Sequence, residues 1–255
     1  MIGIDLNALL MSAKSAAIAA GVEIIKIYET GDFSVEAKSD NSPLTKADRA
    51  AHNIIVAQLE GSGLPVLSEE GKAIDFNERK EWEYFWMIDP LDGTKEFIKK
   101  NGEFTVNIAL IKNGKVVLGV VYAPVLQDIY YAVEGDGAFK NGEAINVREF
   151  NMSDSALNVV ASRSHLTSET QEFLDVLNEP KIVSKGSSLK LLMVAEGSAD
   201  LYPRYAPTME WDTAAAQIIV EEAGGKVLVA DSKNVVHYNK PDLLNPYFLV
   251  FGNLK

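Results

Sequence analysis

Residues 84–94 read Tyr84-Phe85-Trp86-Met87-Ile88-Asp89-Pro90-Leu91-Asp92-Gly93-Thr94, an apolar run that ends in two carboxylates and a Gly-Thr pair. Tyr84 to Ile88 has the composition of a buried strand, and Pro90, which has no N–H for a ladder, is expected to stop it. Asp89 and Asp92 are then expected on a tight turn at the strand's carboxyl end, where side chains and main-chain oxygens converge. Hard divalent cations such as Mg²⁺ take oxygen ligands of this kind and complete their shell with water and substrate phosphate. Gly93 and Thr94 add backbone N–H groups suited to a phosphate oxygen. The same residues also make an ordinary Asp-Pro/Asp-Gly turn, so this stretch alone leaves a metal site and a plain turn both open.

Working outward, the flanks supply helices first and strands after. Residues 4–29 carry Leu6, Leu9, Ala13, Ala17, Ala20, Ile24 and Ile27 at helical spacing. Phe33 to Ser42 is polar and reads as a loop or short hairpin, and a second helix is expected from Thr45 to Glu60. Pro65 to Ser68 reads as a short strand that ends at Glu69-Glu70. Beyond the Asp-rich stretch, Val106–Ile111 and Lys115–Tyr122 are joined by Asn113-Gly114, a strong hairpin signal. Asp128–Val133 and Ala144–Val147 continue the antiparallel pattern, the latter entered through Asn141-Gly142. From about residue 150 the pattern alternates instead, with strands expected at 157–161, 180–184, 199–202, 226–230 and 247–251 and helices at 168–178, 188–197 and 212–223. The expected fold is an α+β, α/β layered sandwich. It is read as a single catalytic unit, with an antiparallel-rich lobe over 1–150 and an alternating α/β lobe over 151–255.

Composition narrows the function. The 255 residues suffice for a substantial core, and a 47% apolar share is ordinary for a globular chain. A formal net charge of −12 argues against a nucleic-acid polymer as partner, since its phosphates would be repelled. Bound cations would reconcile that charge with a phosphate-handling site. There is no cysteine, which removes disulfides, thiolate metal sites and cysteine nucleophiles. Lys14 and Glu23 interrupt the Ala-rich residues 8–25, so no membrane span is expected there. The N-terminus lacks the basic start of a secretory signal, and the expected location is the cytoplasm.

Other acidic positions carry two readings each. Glu69 and Glu70 follow a strand end, and such a pair is either a solvated pair or a source of one more ligand. Asp48 lies three residues after Thr45, in a capping-box-like helix start, so it is a cap or a site residue. Asp212 opens a helix, where an acid is favoured by the helix dipole whatever its function. All of these acids fall at strand ends or helix starts, where catalytic carboxylates are displayed.

These residues resemble the inositol-monophosphatase superfamily of Mg²⁺-dependent, lithium-sensitive phosphatases, over nearly the whole chain. The family's Asp-Pro-(Ile/Leu)-Asp-Gly-Thr run matches residues 89–94, and its Trp-Asp-x-Ala-Ala matches Trp211 to Ala215. The downstream Glu-Ala-Gly-Gly is present as residues 222–225, the upstream Glu-Glu as Glu69-Glu70, and a Lys-Ala-Asp helix start as residues 46–48. Within the superfamily the chain is most similar to the CysQ-type 3′(2′),5′-bisphosphate nucleotidases, through Lys95-Glu96-Phe97, residues 101–110, Gly186 to Lys190 and Ala199 to Arg204.

The resemblance implies a 3′-phosphatase that converts adenosine 3′,5′-bisphosphate, and in some cases its sulfated analogue, to AMP and phosphate in the context of sulfur assimilation. It implies two or three Mg²⁺ ions per site. Glu69, Asp89 and the Leu91 carbonyl would hold one, and Asp89, Asp92 and Asp212 another. Asp48 would orient Thr94 to take the proton of the attacking water. The substrate would meet Glu69, Leu91, Asp92, Gly93, Thr94 and Asp212 at the reacting phosphate, with Ser187, Lys190 and Arg204 beside the nucleotide and His165 near the base. Lys190 also reads as a plain solvated helix residue. An inositol-phosphate phosphatase and a silent binding protein on the same fold are the rival readings. Oligomeric state and peripheral membrane contact at the inner face are left open.

Overall fold

The computed structural model describes residues 4–37, 43–161 and 167–255. In chain order, helix α1 (Leu6–Thr30) is followed by a small ribbon of β1 (Glu36–Ala37) and β2 (Pro43–Leu44), then by α2 (Lys46–Leu59) and β3 (Val66–Ser68). Next come α3 (Phe76–Arg79), β4 (Tyr84–Asp92) and α4 (Thr94–Ile98). A meander follows through β5 (Thr105–Lys112), β6 (Lys115–Ala123), β7 (Asp128–Val133), β8 (Gly137–Lys140) and β9 (Glu143–Ile145). The remainder alternates: β10 (Glu149–Phe150), β11 (Asn158–Ala161), α5 (Ser168–Asp175), β12 (Lys181–Ser184), α6 (Leu189–Ala195), β13 (Leu201–Arg204), α7 (Glu210–Glu222), β14 (Lys226–Val229), β15 (Phe248–Phe251) and β16 (Asn253–Leu254).

Strands β3 to β9 form a seven-stranded sheet in sequence order, parallel only between β3 and β4. The five-stranded sheet has the order β12-β11-β13-β15-β14 and mixes parallel with antiparallel pairs. Alternation along the strands assigns the layers. Trp86 and Ile88 pack with Ala13, Ala17, Ile24 and Ile55 of α1 and α2, whereas Phe85 and Met87 pack with Ala215, Ile219 and Leu192 of α7 and α6. Val160 and Tyr202 join that second core from the five-stranded sheet, while Val159 and Leu201 turn away to meet Leu174 of α5. The result is helix, sheet, helix, sheet, helix, the layered sandwich expected from the sequence. Full burial of Phe85, Met87 and Ile88 contributes about 1.5–3 kcal/mol each.

Two helices owe their position to local chemistry. Asp5 caps α1 by accepting from the N–H groups of Asn7 (3.0 Å) and Ala8 (3.1 Å). Helix α7 lies close on β6 because Gly119 has no side chain, and a Cβ there would stand 2.2 Å from the Ala215 carbonyl oxygen.

Several expectations are corrected. Pro90 does not end β4: pairing resumes at Asp92 opposite Thr105 after Asp89 opposite Asn107, so the proline sits in a β-bulge. The bulge carries one extra residue and leaves no ladder position needing the missing N–H. Asn141-Gly142 joins β8 to β9, and β8 itself has no counterpart in the sequence reading. Helix α1, with 25 residues and a mean hydropathy of 1.6 over its most apolar window, is long and apolar enough to cross a membrane by length and composition. Its Ala13, Ala16, Ala17, Ala20 and Ile24 are instead buried in the core.

Candidate active site

Three long-range arrangements bring the acids together. The parallel register of β3 on β4 sets Ser68 beside Ile88, and the Glu69 N–H continues the pairing onto the Ile88 carbonyl at 3.1 Å, next to Asp89. The bulge between Asp89 and Asp92 turns both carboxylates toward the same region, where a regular strand would point residues at this odd spacing to opposite faces. The first turn of α7 then delivers Asp212 from far along the chain. Carboxylate oxygens of Asp89, Asp92 and Asp212 lie within 4.8 Å of one another.

Each of these acids accepts at least one backbone N–H. Asp89 Oδ1 accepts the Leu91 N–H at 3.0 Å and Asp212 Oδ2 accepts the Met209 N–H at 2.8 Å. Asp92 Oδ2 accepts the Ser188 N–H (2.6 Å), the Ser188 hydroxyl (2.9 Å) and, more weakly, Asn107 Nδ2 (3.4 Å). None of these bonds uses Asp89 Oδ2, Asp92 Oδ1 or Asp212 Oδ1. Burial raises the Asp89 carboxyl well above its ordinary range, and the charges of Glu69, Asp92 and Asp212 push it further the same way. Asp212 is raised for the same reasons, burial first and then Asp92. Hard oxygen donors crowded at this distance, with too little positive charge to balance them, fit a divalent cation.

Asp48 caps its helix and also reaches Thr94. Its Oδ2 accepts the Thr45 N–H at 2.7 Å, closing the capping box of α2, while its Oδ1 accepts the Thr94 hydroxyl at 3.2 Å. Thr94 Oγ1 also lies 3.2 Å from the Leu91 carbonyl. Gly93 begins α4 with φ +92°, a left-handed conformation that glycine adopts without strain, and a Cβ there would stand 3.2 Å from that of Ser187.

Asp92, Gly93, Ser187, Lys190, Arg204 and Asp212 share the wall of one cavity of about 370 Å³. Lys190 is not a solvated helix residue: it is half-buried, and its Nζ donates to the Ser187 carbonyl at 2.7 Å. Loss of water lowers its pKa to about 8 against the opposing pull of Asp92. Arg204 donates to the Pro207 carbonyl at 3.0 Å, while its Nε, although buried, has no hydrogen-bond partner among the described residues. His165 lies outside the described residues.

The sequence reading missed Thr105, Asn107 and Ser188. Thr105 donates to Asn107 Oδ1 at 2.9 Å, and Asn107 donates to the Ser188 hydroxyl at 2.9 Å. The Ser188 oxygen also lies 2.7 Å from the Asp212 carbonyl, so its single proton is contested by Asp92 and by the start of α7. The signal was a polar pair at period two, Thr105 and Asn107, inside an otherwise apolar strand; both are buried.

The sequence model of the inositol monophosphatase family matches residues 5–250. The 3′(2′),5′-bisphosphate nucleotidase CysQ of Escherichia coli (strain K12) is 48% identical, covering 91% of this chain and 94% of that one. CysQ of Haemophilus influenzae is 34% identical, covering 92% and 89%. Among solved structures, CysQ from Bacteroides thetaiotaomicron superposes with a TM-score of 0.87 at 46% identity, covering 97% of this chain and 98% of that one. Thermotoga maritima IMPase superposes with a TM-score of 0.79 at 30% identity, covering 97% and 92%. With a match over nearly its whole length, the chain belongs to the inositol monophosphatase family.

Proposed function

We propose that this protein is a Mg²⁺-dependent phosphatase that removes the 3′-phosphate of adenosine 3′,5′-bisphosphate, giving AMP and phosphate. The sulfated analogue is a second substrate in this reading. What carries it is a single cavity whose wall holds Asp92 and Asp212 together with Lys190 and Arg204. A substrate with one phosphate to react and another to be held needs both, and relatives named for that substrate share nearly half the residues. The chain is proposed to be one catalytic unit whose two lobes, 1–150 and 151–255, meet at the site, since Asp212 joins Asp89 and Asp92 across that division. The cytoplasm is the proposed location, in keeping with a helix α1 whose inner face is spent on the core.

Glu69, Asp89 and the Leu91 carbonyl are assigned to one Mg²⁺, and Asp89, Asp92 and Asp212 to a second, with room for a third left open. When bound, these ions supply an acidified water and neutralise charge on the leaving oxygen. The chain's own residues do the rest. Thr94 Oγ1 takes the water's proton, and Asp48 Oδ1 holds that hydroxyl and receives its proton in turn. Helix α4 begins with N–H groups that have no partner inside the helix, so those of Gly93 and Thr94 are assigned to the phosphoryl oxygens. Ser187, Lys190 and Arg204 hold the nucleotide, and His165 is assigned to its base. Phosphoryl transfer asks mainly for position and charge, and no covalent nucleophile takes part.

The test is phosphate release from adenosine 3′,5′-bisphosphate, inositol 1-phosphate and fructose 1,6-bisphosphate, each with and without Mg²⁺. The nucleotide should give the highest kcat/KM, with none released after chelation. Preference for inositol 1-phosphate would overturn the substrate assignment, and no release from any substrate would overturn the activity.

A further inference from the structure

Residues 237–245 form no regular helix or strand, yet they are fastened to the start of α7 by side chains that are almost wholly buried. Glu210, 0% exposed in the first turn of α7, accepts the N–H groups of Asn239 (2.5 Å) and Lys240 (3.0 Å) and also the Lys240 ammonium. Both of its carboxylate oxygens are spent on this strap. Asn245, 4% exposed, donates from Nδ2 to the Met209 carbonyl at 2.8 Å and lies 3.2 and 3.0 Å from the Thr208 and Thr213 hydroxyls. The backbone adds two bonds, Glu210 N–H to the Leu243 carbonyl at 2.9 Å and Asn245 N–H to the Thr208 carbonyl at 2.8 Å. The strap is tied a second time, to α3. Buried Arg79 donates to Asn239 Oδ1 and to the Lys240 and Pro241 carbonyls at 2.8, 2.8 and 3.0 Å, and its own carbonyl accepts from Asn239 Nδ2 at 2.7 Å.

Asp212 depends on the turn that the strap holds. Its Oδ2 accepts the Met209 N–H, the Met209 carbonyl accepts from Asn245, and the next N–H, that of Glu210, goes to Leu243. Met209 stands at the N-cap of α7 with no side-chain oxygen, so the usual cap is missing and the strap takes over the fastening. Thr208, Asp212 and Thr213 all line the cavity. A buried Glu–Lys pair adds little net stability, because desolvation offsets much of its attraction. It does fix one arrangement, and here that arrangement includes the backbone to which Asp212 is bonded.

We propose that Glu210 and Asn245 are positioning residues: through the strap, anchored also by Arg79, they hold the first turn of α7 so that the Asp212 carboxylate stays within ligand reach of Asp89 and Asp92. This rests on the assignment of Asp212 to Mg²⁺ above and adds the residues that keep it in place.

The test follows the rise in melting temperature of the full chain as Mg²⁺ is added, a readout independent of turnover. In Asn245→Ala and Glu210→Gln the Mg²⁺ concentration giving half of that rise should increase about 10–100-fold, the loss typical when a ligand's supporting partner is removed. Gln offers one acceptor oxygen where the strap uses two. Arg79→Lys keeps the charge but loses the planar fork, and it should move the same midpoint by a smaller factor. It carries the test if either of the other variants fails to fold. Leu174→Ala opens a gap in the outer core under α5 and supplies instability without touching the strap. It should lower the metal-free melting temperature and leave the Mg²⁺ midpoint where it was. Strap variants that lose metal-free stability with an unmoved midpoint would overturn the positioning role, as would a midpoint that Leu174→Ala moves equally. A flat response to Mg²⁺ in the unaltered protein would instead overturn the parent assignment of Asp212 to a cation.

Discussion

The acidic and the basic side chains of the site are held in different ways. Carboxylate oxygens of Asp89, Asp92 and Asp212 crowd within 4.8 Å, each acid braced by a backbone N–H, and two of them are pushed toward holding a proton. Lys190 and Arg204 each donate to a backbone carbonyl, and the Arg204 Nε has no hydrogen-bond partner among the described residues. The acids are therefore a rigid cage under electrostatic tension, and the cations are a set of donors only partly used. In the proposed function the first serves the chemistry and the second the recognition, so damage to the acids should appear in kcat and damage to the cations in KM.

Asp89 offers the hardest test of that division. It is 1% exposed and central to the acid cluster. Asp89→Asn should lower kcat by about 10³-fold or more, because a ligand assigned to both ions is lost and several kcal/mol of charge stabilisation goes with it. The folded protein should be no less stable without metal, since a repelled carboxylate has been removed. Near-normal turnover at saturating Mg²⁺ would break the assignment.

Asp48→Asn comes next. An amide has one acceptor oxygen, so it cannot both accept from the Thr45 N–H and face the Thr94 hydroxyl as the carboxylate does. A kcat loss of about 10² is expected, with a stability cost of about 1 kcal/mol or less from the altered cap. An unchanged rate with lowered melting temperature would reduce Asp48 to a cap.

Arg204→Ala should move the other quantity. KM for adenosine 3′,5′-bisphosphate is expected to rise about 10–150-fold with kcat little affected, from a charge-assisted contact worth about 1.5–3 kcal/mol. A small monophosphate without the nucleotide should respond little. A matching fall in kcat on both substrates would place Arg204 in the support of the acids.

Ser188→Ala has the smallest expected effect and joins the two regions. Asp92 loses a hydroxyl donor at 2.9 Å but keeps the backbone N–H at 2.6 Å. Mg²⁺ should then be needed at about tenfold higher concentration, in line with losses seen when a ligand's supporting hydrogen bond is removed. The rise in melting temperature with added Mg²⁺ reports this without reference to turnover. The metal-free protein supplies the baseline. Asp89 and Asp212 bind protons more tightly folded than unfolded, so their contribution to stability is most favourable in acid and falls as pH rises above the ordinary carboxylate value near 3.8. Added Mg²⁺ should recover the loss most at neutral pH and least in acid.

Much of the site was legible in one dimension. Asp89, Asp92, Gly93 and Thr94 are covalent neighbours, so their joint presence follows from the chain whatever surrounds it. The Asn113-Gly114 hairpin and the Thr45-Asp48 capping box were also local, because turn and cap chemistry is settled within four residues. Strand β8 was missed because it is four residues long, and its hairpin turn was assigned to the strand that follows.

Tertiary structure decided the rest. Pro90 reads as a stop in sequence, yet pairing with β5 carries β4 through it, because a bulge has no use for the N–H that proline lacks. Helix α1 is apolar enough for a bilayer, and only its packing on α2 and the large sheet makes it a core helix. Thr105, Asn107 and Ser188 looked like ordinary polar residues, since nothing local shows that a buried strand and a distant helix start converge on Asp92. By itself, then, the sequence determined the identity of the acids, the caps and the tight turns, which depend on a few bonded neighbours. Register and layer packing determined which oxygens converge and which donors brace them, because those contacts join residues as distant in the chain as Asp89 and Asp212 and exist only once the sheets and helices have stacked.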